Sequence, residues 1–385
     1  MDPFDQLWWT VLAWVLVRMI KEQQPRRWLT AGVVIGVGLL TKLPIAFYVL
    51  ALLAGLLLSE SRRLLFNRWL ILGGLIAVAI VSPYIVWQAL RGFPVIEYAG
   101  SYASGKTFQA TPLEFLGQQV LTLNPLSLPL WLGGLYFLFF AAAGRPYRLF
   151  GWAYLFLYVF FMLQKAKFYW LAPAYPVLFA AGAYGLQRWT EQRPPARWLR
   201  RAYLCTLAIS GLVLVPFTIP ILPPEAFIRL NAAVGNAGEV KQETLAASEL
   251  PQNYADRYGW REMVAAVHQA YASLTPAEQA KACILTNNYG EAGAIDYFGP
   301  ELGLPRAVSG HNSYFLWGPR GCTGEVLISI GRPLRDLSGS FESVTPGPAW
   351  GCTYCMPHQN GAPIYIGRGL KDPMQDAWPT VKEFN

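Results

Sequence analysis

FGWAYLFLYVFFMLQKAKFYWLAPAYPVLFAAGAYG, residues 150–185, contains two apolar runs separated by one polar segment, Gln164–Tyr169. Each run has about the 17–20 residues that a helix needs to cross a bilayer. Lysines between two such runs lie at a membrane face, where long basic side chains reach the lipid headgroups. The stretch therefore predicts two membrane spans that meet at one face of the membrane.

The rest of the chain divides into two parts of different composition. It has 385 residues, of which 54% are hydrophobic and 14% charged, and all three histidines and four of the five cysteines follow residue 222. We predict a transmembrane domain over 1–222, a linker over 223–258 and a soluble domain over 259–385. The formal net charge of +8 does not indicate nucleic-acid binding, because most basic residues lie in short loops between apolar runs.

Eight apolar segments are predicted to span the membrane, at 7–20, 29–41, 43–58, 69–90, 121–143, 149–164, 170–187 and 202–222. One set of connecting loops carries 14 Lys and Arg residues and the alternate set carries five, which are Lys42, Arg91, Lys106, Lys165 and Lys167. Positive residues favour the cytoplasmic side, so the richer set is assigned there. The poorer set and the C-terminal domain are then on the outer side. The long loop 91–120 is predicted to lie along the membrane surface on that side.

The soluble part alternates between predicted helices and strands. Helices are expected at 260–274 and 290–299, and strands at 282–286, 325–330, 341–344 and 364–366. This alternation predicts a small α/β domain with a largely parallel sheet.

The polar segment at 164–169 carries the sharpest chemical signal. Two ammonium groups, Lys165 and Lys167, and the phenol of Tyr169 at an outer membrane face suit the phosphate of a lipid. Simple anchoring at the interface explains the same residues equally well. Lys42 interrupts a nearly continuous apolar stretch. Such a charge costs about 2.5–3.5 kcal/mol on insertion scales, so it indicates either a functional site or a side chain that extends to the interface.

Asp2 and Asp5 stand at the head of the first predicted helix, where they stabilise the helix dipole. At the outer rim the same carboxylates are also suited to a sugar or a divalent metal. No cofactor is predicted with certainty, and a divalent metal is the one left open.

The cysteines of the soluble part are predicted to form a disulfide and not a metal site. Cys352 and Cys355 form a CxxC motif, but only the isolated Cys322 and His311 are available as further zinc ligands. In an outer, oxidising compartment a disulfide is the simpler use. We expect Cys322 to pair with Cys352 or Cys355 and Cys283 to be buried on its strand. The sequence does not settle the pairing.

Three motifs in order resemble glycosyltransferase family 39. They are MDPFDQLWW at 1–9, the glycine-rich segment from Trp28 to Lys42, and KAKFYWLAPAYP at 165–176. The family includes dolichyl-phosphate-mannose–protein mannosyltransferases and the bacterial lipid A aminoarabinose transferase, and the resemblance covers about 1–222. It implies a helical polytopic membrane bundle of the C-type glycosyltransferase fold, followed here by a small α/β extracytoplasmic domain.

The resemblance also implies an activity. A sugar would be transferred with inversion from a polyprenyl- or dolichyl-phosphate donor to an acceptor glycan, lipid or protein on the outer face of a bacterial inner membrane. The matching tracts put Lys42, Lys165, Lys167 and Tyr169 near the lipid phosphate and Asp2 near the mouth of the site.

The chain departs from this family in one respect. The family keeps its catalytic carboxylate in the first outer loop, and this sequence has no matching helix or loop, so the catalytic residue is unknown. We therefore expect a truncated reading of a longer gene that does not catalyse transfer as it stands. The alternative is a non-catalytic, membrane-anchored binding or sensory module with an extracytoplasmic ligand-binding domain. Neither hypothesis involves nucleic acid.

Overall fold

The computed structural model describes residues 2–103, 110–235 and 248–384. These residues form two compact units. The helical unit comprises 2–94 and 110–215, and the sheet unit comprises 95–103, 216–235 and 248–384. Lys106 and the middle of the predicted linker lie outside the described residues.

Nine helices make up most of the helical unit. They are α1 (Asp2–Glu22), α2 (Trp28–Thr41), α3 (Ile45–Leu57), α4 (Arg68–Leu90), α6 (Pro112–Thr122), α7 (Leu128–Phe140), α8 (Arg148–Leu163), α9 (Tyr175–Glu191) and α10 (Arg197–Thr218), while α5 (Pro94–Ala103) belongs to the sheet unit. A 3-10 turn, Phe168–Ala174, joins α8 to α9. Each of the eight apolar segments predicted from the sequence corresponds to one or two of these helices, with the break between α2 and α3 at Lys42 as expected.

Three of the described helical segments are long and apolar enough to cross a membrane: Arg68–Leu90, Ala142–Leu163 and Arg197–Thr218. A fourth is added if Pro112–Thr122 and Pro125–Phe140, which meet at 95°, count as one broken span. Several apolar helices are therefore candidates for membrane spans. The full number of eight stays a prediction.

Small residues allow the helices of this unit to approach closely. Between α7 and α9, a Cβ added at Gly134 would collide with the carbonyl oxygen of Leu178, and one at Gly182 would collide with that of Leu130. Where lipid surrounds a bundle, helices associate mainly by such close packing, since the hydrophobic effect adds little between them. The buried core includes Trp9, whose ring stacks on Tyr48 at a centroid distance of 4.3 Å.

The sheet unit contains five strands and the remaining helices. The strands are β1 (Ala282–Thr286), β2 (Ala307–Ser309), β3 (Val326–Ile330), β4 (Phe341–Pro346) and β5 (Ile364–Leu370), in the order β2-β1-β3-β5-β4. The helices are α11 (Pro224–Ala233), α12 (Gln252–Ala255), α13 (Trp260–Ala272), α14 (Pro276–Gln279), α15 (Tyr289–Phe298), α16 (Ser313–Leu316), α17 (Leu334–Ser340) and α18 (Met374–Ala377).

The expectation of a largely parallel sheet is wrong. β1 pairs in parallel with β2 and β3, but β5 pairs antiparallel with both β3 and β4. Parallel strands need a crossover, usually a helix, and none lies between β4 and β5. Parts of the predicted linker are folded, since Phe227 and Tyr254 are buried in one cluster.

Candidate functional site

Two motifs that are far apart in sequence meet at one end of the helical unit. Lys42 follows the last residue of α2 in an extended conformation, and its Nζ lies 5.6 Å from the ring centroid of Tyr169. A cation at this distance from an aromatic face is attracted to the ring. The structure therefore brings together two of the predicted site residues, one from each motif.

The predicted lysines occupy a tight turn at the end of α8. Lys165 adopts a left-handed conformation with φ of 51°, and the backbone N–H of Ala166 donates to the carbonyl of Phe161 at 2.9 Å. Lys165 is exposed and Lys167 is half-buried at the start of the 3-10 turn. The turn thus presents two ammonium groups and the half-buried Tyr169 within five residues.

A buried polar network, which was not predicted from the sequence, stabilises this turn through hydrogen bonds. Gln119 of α6 is 1% exposed, and its Nε2 donates to the backbone carbonyl of Phe168 at 3.1 Å. Its Oε1 accepts from the hydroxyl of Tyr175 at 3.1 Å, and the hydroxyls of Tyr175 and Tyr154 lie 2.9 Å apart. Phe168 lies between Lys167 and Tyr169, so the network fixes the backbone of Lys165–Tyr169, which we call the lysine segment. The sequence offers no specific signal for Gln119, which stands beside Gln118 in an amphipathic segment.

The first helix contributes a buried carboxylate. Asp5 is 4% exposed and accepts from the indole Nε1 of Trp9 at 2.9 Å. α1 also packs against the turn at Phe168–Ala174. Asp5 is therefore held within the core, and does not lie on an open rim. The side chain of Asp2, the other predicted carboxylate, lies outside the described residues.

The cysteine pairing differs from the expected one. Cys283 pairs with Cys322 at a Cα separation of 5.6 Å, and Cys352 pairs with Cys355 at 5.9 Å. Side chains alternate along β1, so Cys283 faces the side of the sheet where Cys322 lies, in the same apolar cluster as Leu285. Within the described ranges, no group of three His, Cys, Asp or Glu side chains is placed to hold a metal.

The sheet unit also contains a buried carboxyl group with a shifted pKa. Glu291 of α15 forms a capping box with Asn288, and its carboxylate accepts the backbone N–H groups of Asn287 and Asn288 at 2.8 and 3.2 Å. Burial raises the pKa of Glu291 to about 7, against the opposing effects of these hydrogen bonds and of Arg332.

Comparison with known proteins finds a family match for the N-terminal part of the chain. Residues 1–87 match the family model described as dolichyl-phosphate-mannose-protein mannosyltransferase. The resemblance predicted from the sequence is confirmed over residues 1–87, and over 88–222 it stays a prediction. The match to this mannosyltransferase family includes Asp2 and Lys42 and ends before the segment Lys165–Tyr169. No curated protein and no solved structure matched the chain.

Proposed function

We propose that the chain provides the donor site of a membrane glycosyltransferase, an enzyme that transfers a sugar from a polyprenyl-phosphate donor to an acceptor on the outer face of the membrane; the catalytic carboxylate is not assigned in this chain. The observation that carries the proposal is the contact between Lys42 and Tyr169, which joins the family-matching region to the lysine segment. A lipid phosphate held there would meet fixed positive charge from two separate parts of the chain.

The lysines have a defined role in the proposed reaction. An acceptor hydroxyl attacks the anomeric carbon of the sugar, the bond from that carbon to the phosphate oxygen breaks, and the lipid phosphate leaves with the bonding electrons. A carboxylate base takes the hydroxyl proton. Negative charge on the phosphate grows as the bond breaks, and the ammonium groups of Lys42, Lys165 and Lys167 stabilise it. Asp5 is engaged by Trp9 in the core, so we do not assign it as the base.

Two further features support the proposed location of the sheet unit outside the cytoplasm of a bacterial cell. One is the loop bias of 14 basic residues against five. The other is the pair of disulfides, Cys283–Cys322 and Cys352–Cys355, because disulfides persist in oxidising compartments. Glu301 is exposed in the sheet unit and is suited to a labelling test. In a Cys205→Ser background, Glu301→Cys should react with a membrane-impermeant maleimide in intact spheroplasts. Labelling only after lysis would contradict the location.

The activity is tested directly by release of the lipid phosphate. The full chain in lipid nanodiscs is supplied with a radiolabelled polyprenyl-phosphate hexose and candidate acceptors. Turnover that falls in a Lys165→Gln/Lys167→Gln variant supports the proposal. The control is Lys21→Gln, a lysine in the last turn of α1. Affinity for the lipid-linked donor is measured in the same nanodiscs, and a donor affinity that is equal in both variants would contradict a role for the lysine segment, whether or not the parent chain turns over.

A second candidate function is a membrane-anchored binding module. It is favoured by one observation, a cavity of about 570 Å³ within the sheet unit. Binding of a ligand to the sheet unit, with no affinity of the full chain for the lipid-linked sugar, would favour this alternative.

A further inference from the structure

The cavity lies on one face of the sheet. Leu285 of β1 and Leu327 of β3 alternate along their strands with Ile284 and Ile328, so the two pairs face opposite sides. The isoleucines pack in the cluster that contains α13, whereas the leucines form the cavity floor with Leu337 and Phe341. All four floor residues are buried. A volume of about 570 Å³ is within the range of about 300–1,000 Å³ typical of small-molecule sites.

The rim of the cavity is rich in hydrogen-bond acceptors. Three exposed carboxylates line it, Asp336, Asp372 and Asp376. Two hydroxyls also line it, but each donates its hydrogen within the protein: Ser340 to the carbonyl of Asp336 at 3.1 Å, and Thr380 to that of Ala377 at 2.7 Å. Their oxygens are therefore left as acceptors. A ligand that matches this rim must be mainly a hydrogen-bond donor.

Two guanidinium groups balance part of this charge, and one of them, Arg335, donates from its Nε to Asp336 at 3.2 Å. Arg332 lines the same cavity and interacts electrostatically with Glu383, Asp336 and Glu291. Its buried Nε–H has no hydrogen-bond partner among the described residues. Three carboxylates against two guanidinium groups leave a net negative charge, which disfavours an anionic ligand. The guanidinium in the wall also disfavours a cation bound deep in the cavity, and its Nε–H offers a donor to a ligand oxygen.

We propose that this cavity binds a neutral, polyhydroxylated ring, the chemical class of a sugar residue in a glycan. Hydroxyl hydrogens of the ring donate to the carboxylates of the rim, one ring oxygen accepts from Arg332, and the C–H face of the ring lies on Leu285, Leu327 and Phe341. The inference concerns a second site, confined to the sheet unit. It does not depend on sugar transfer by the helical unit.

The test is saturation-transfer NMR with the full chain in lipid nanodiscs. The probes are methyl glycosides of glucose, mannose, galactose and arabinose, with tetramethylammonium and acetate as charged comparisons. Asp372→Asn/Asp376→Asn keeps the shape of the rim but replaces two charged acceptors. The proposal expects at least one glycoside to bind the parent chain, and its affinity to fall on the order of tenfold per lost charged acceptor.

Two controls keep the result interpretable. Glu262→Gln changes an exposed carboxylate on α13, away from the cavity, and should leave glycoside binding unchanged. Ser340→Ala removes one rim oxygen and tests the site independently if the double variant unfolds, with an expected loss of a few fold. Unchanged glycoside binding in Ser340→Ala and the double variant, binding of tetramethylammonium or acetate alone, or no glycoside bound by the parent chain would each overturn the proposal.

Discussion

Replacing Gln119 by leucine should loosen the lysine segment without removing a charge from it. The change deletes the donor to the Phe168 carbonyl and the acceptor for the Tyr175 hydroxyl, which are bonds of 3.1 Å each. The Phe168 carbonyl begins a 3-10 turn and Tyr175 keeps its contact with Tyr154, so neither group is left without a partner, and each deleted hydrogen bond is worth about 0.5–1.5 kcal/mol. We therefore expect a destabilisation of about 1–3 kcal/mol at this turn.

Affinity for a polyprenyl phosphate should fall with this loss of order. If the whole destabilisation opposes binding, each 1.4 kcal/mol raises the dissociation constant tenfold. Microscale thermophoresis of the detergent-purified chain measures it, with melting temperature recorded in parallel. Tyr154→Phe is the matched control, because it removes a hydroxyl from the same network but leaves the bond to Phe168 intact. A Gln119→Leu variant that binds the lipid as tightly as Tyr154→Phe would refute the reasoning.

Three further predictions concern stability. The pKa of Glu291 is about 7 in the folded chain and about 4.5 in the unfolded chain, so only the folded chain holds this proton between these pH values. The free energy of unfolding should therefore fall by up to about 3 kcal/mol as pH rises from 4.5 to 7. Glu291→Gln should lose much of this pH dependence, and a parent melting temperature that is unchanged from pH 4 to 8 would contradict the prediction. Gly134→Ala should lower the free energy of unfolding by about 1–3 kcal/mol or more, because the added Cβ would collide with the backbone of α9. Gly133→Ala is the control, since its Cβ would enter open space. Equal melting temperatures of the two variants would argue against the close contact between α7 and α9. Loss of the Cys283–Cys322 disulfide, which closes a loop of 39 residues, should lower the free energy of unfolding of the sheet unit by about 4 kcal/mol. A denaturation midpoint that stays unchanged on removal of this disulfide would contradict its stabilising role.

The sequence predicted the helices well because their signal is local. Long apolar runs broken by charged or proline-containing turns mark α4 and α8 without reference to the rest of the fold. Four of the five strands were also predicted. β2 was missed because it has only three residues, and its place beside β1 depends on pairing and not on its own composition.

Contacts between distant residues were not predictable in the same way. Gln119 reaches partners 49 and 56 positions away, so no spacing rule marks it. The reversed direction of β5 and the partner of Cys283 likewise depend on how the sheet assembles. Lys42 and Tyr169 were each predicted from the sequence as site residues. Only the folded chain shows that the Nζ of Lys42 lies 5.6 Å from the ring centroid of Tyr169.

The central claim is that the lysine segment and Lys42 together hold a lipid phosphate. It is tested most directly by the affinity of the full chain for polyprenyl phosphate in neutral nanodiscs, compared among Lys42→Gln, Lys165→Gln/Lys167→Gln and the control Lys21→Gln. Each charge-assisted contact is worth about 1.5–3 kcal/mol, so we expect losses of at least tenfold in the first two variants and none in the control. Affinities that stay within twofold of the parent chain in all three variants would contradict the claim and leave these lysines as interfacial anchors.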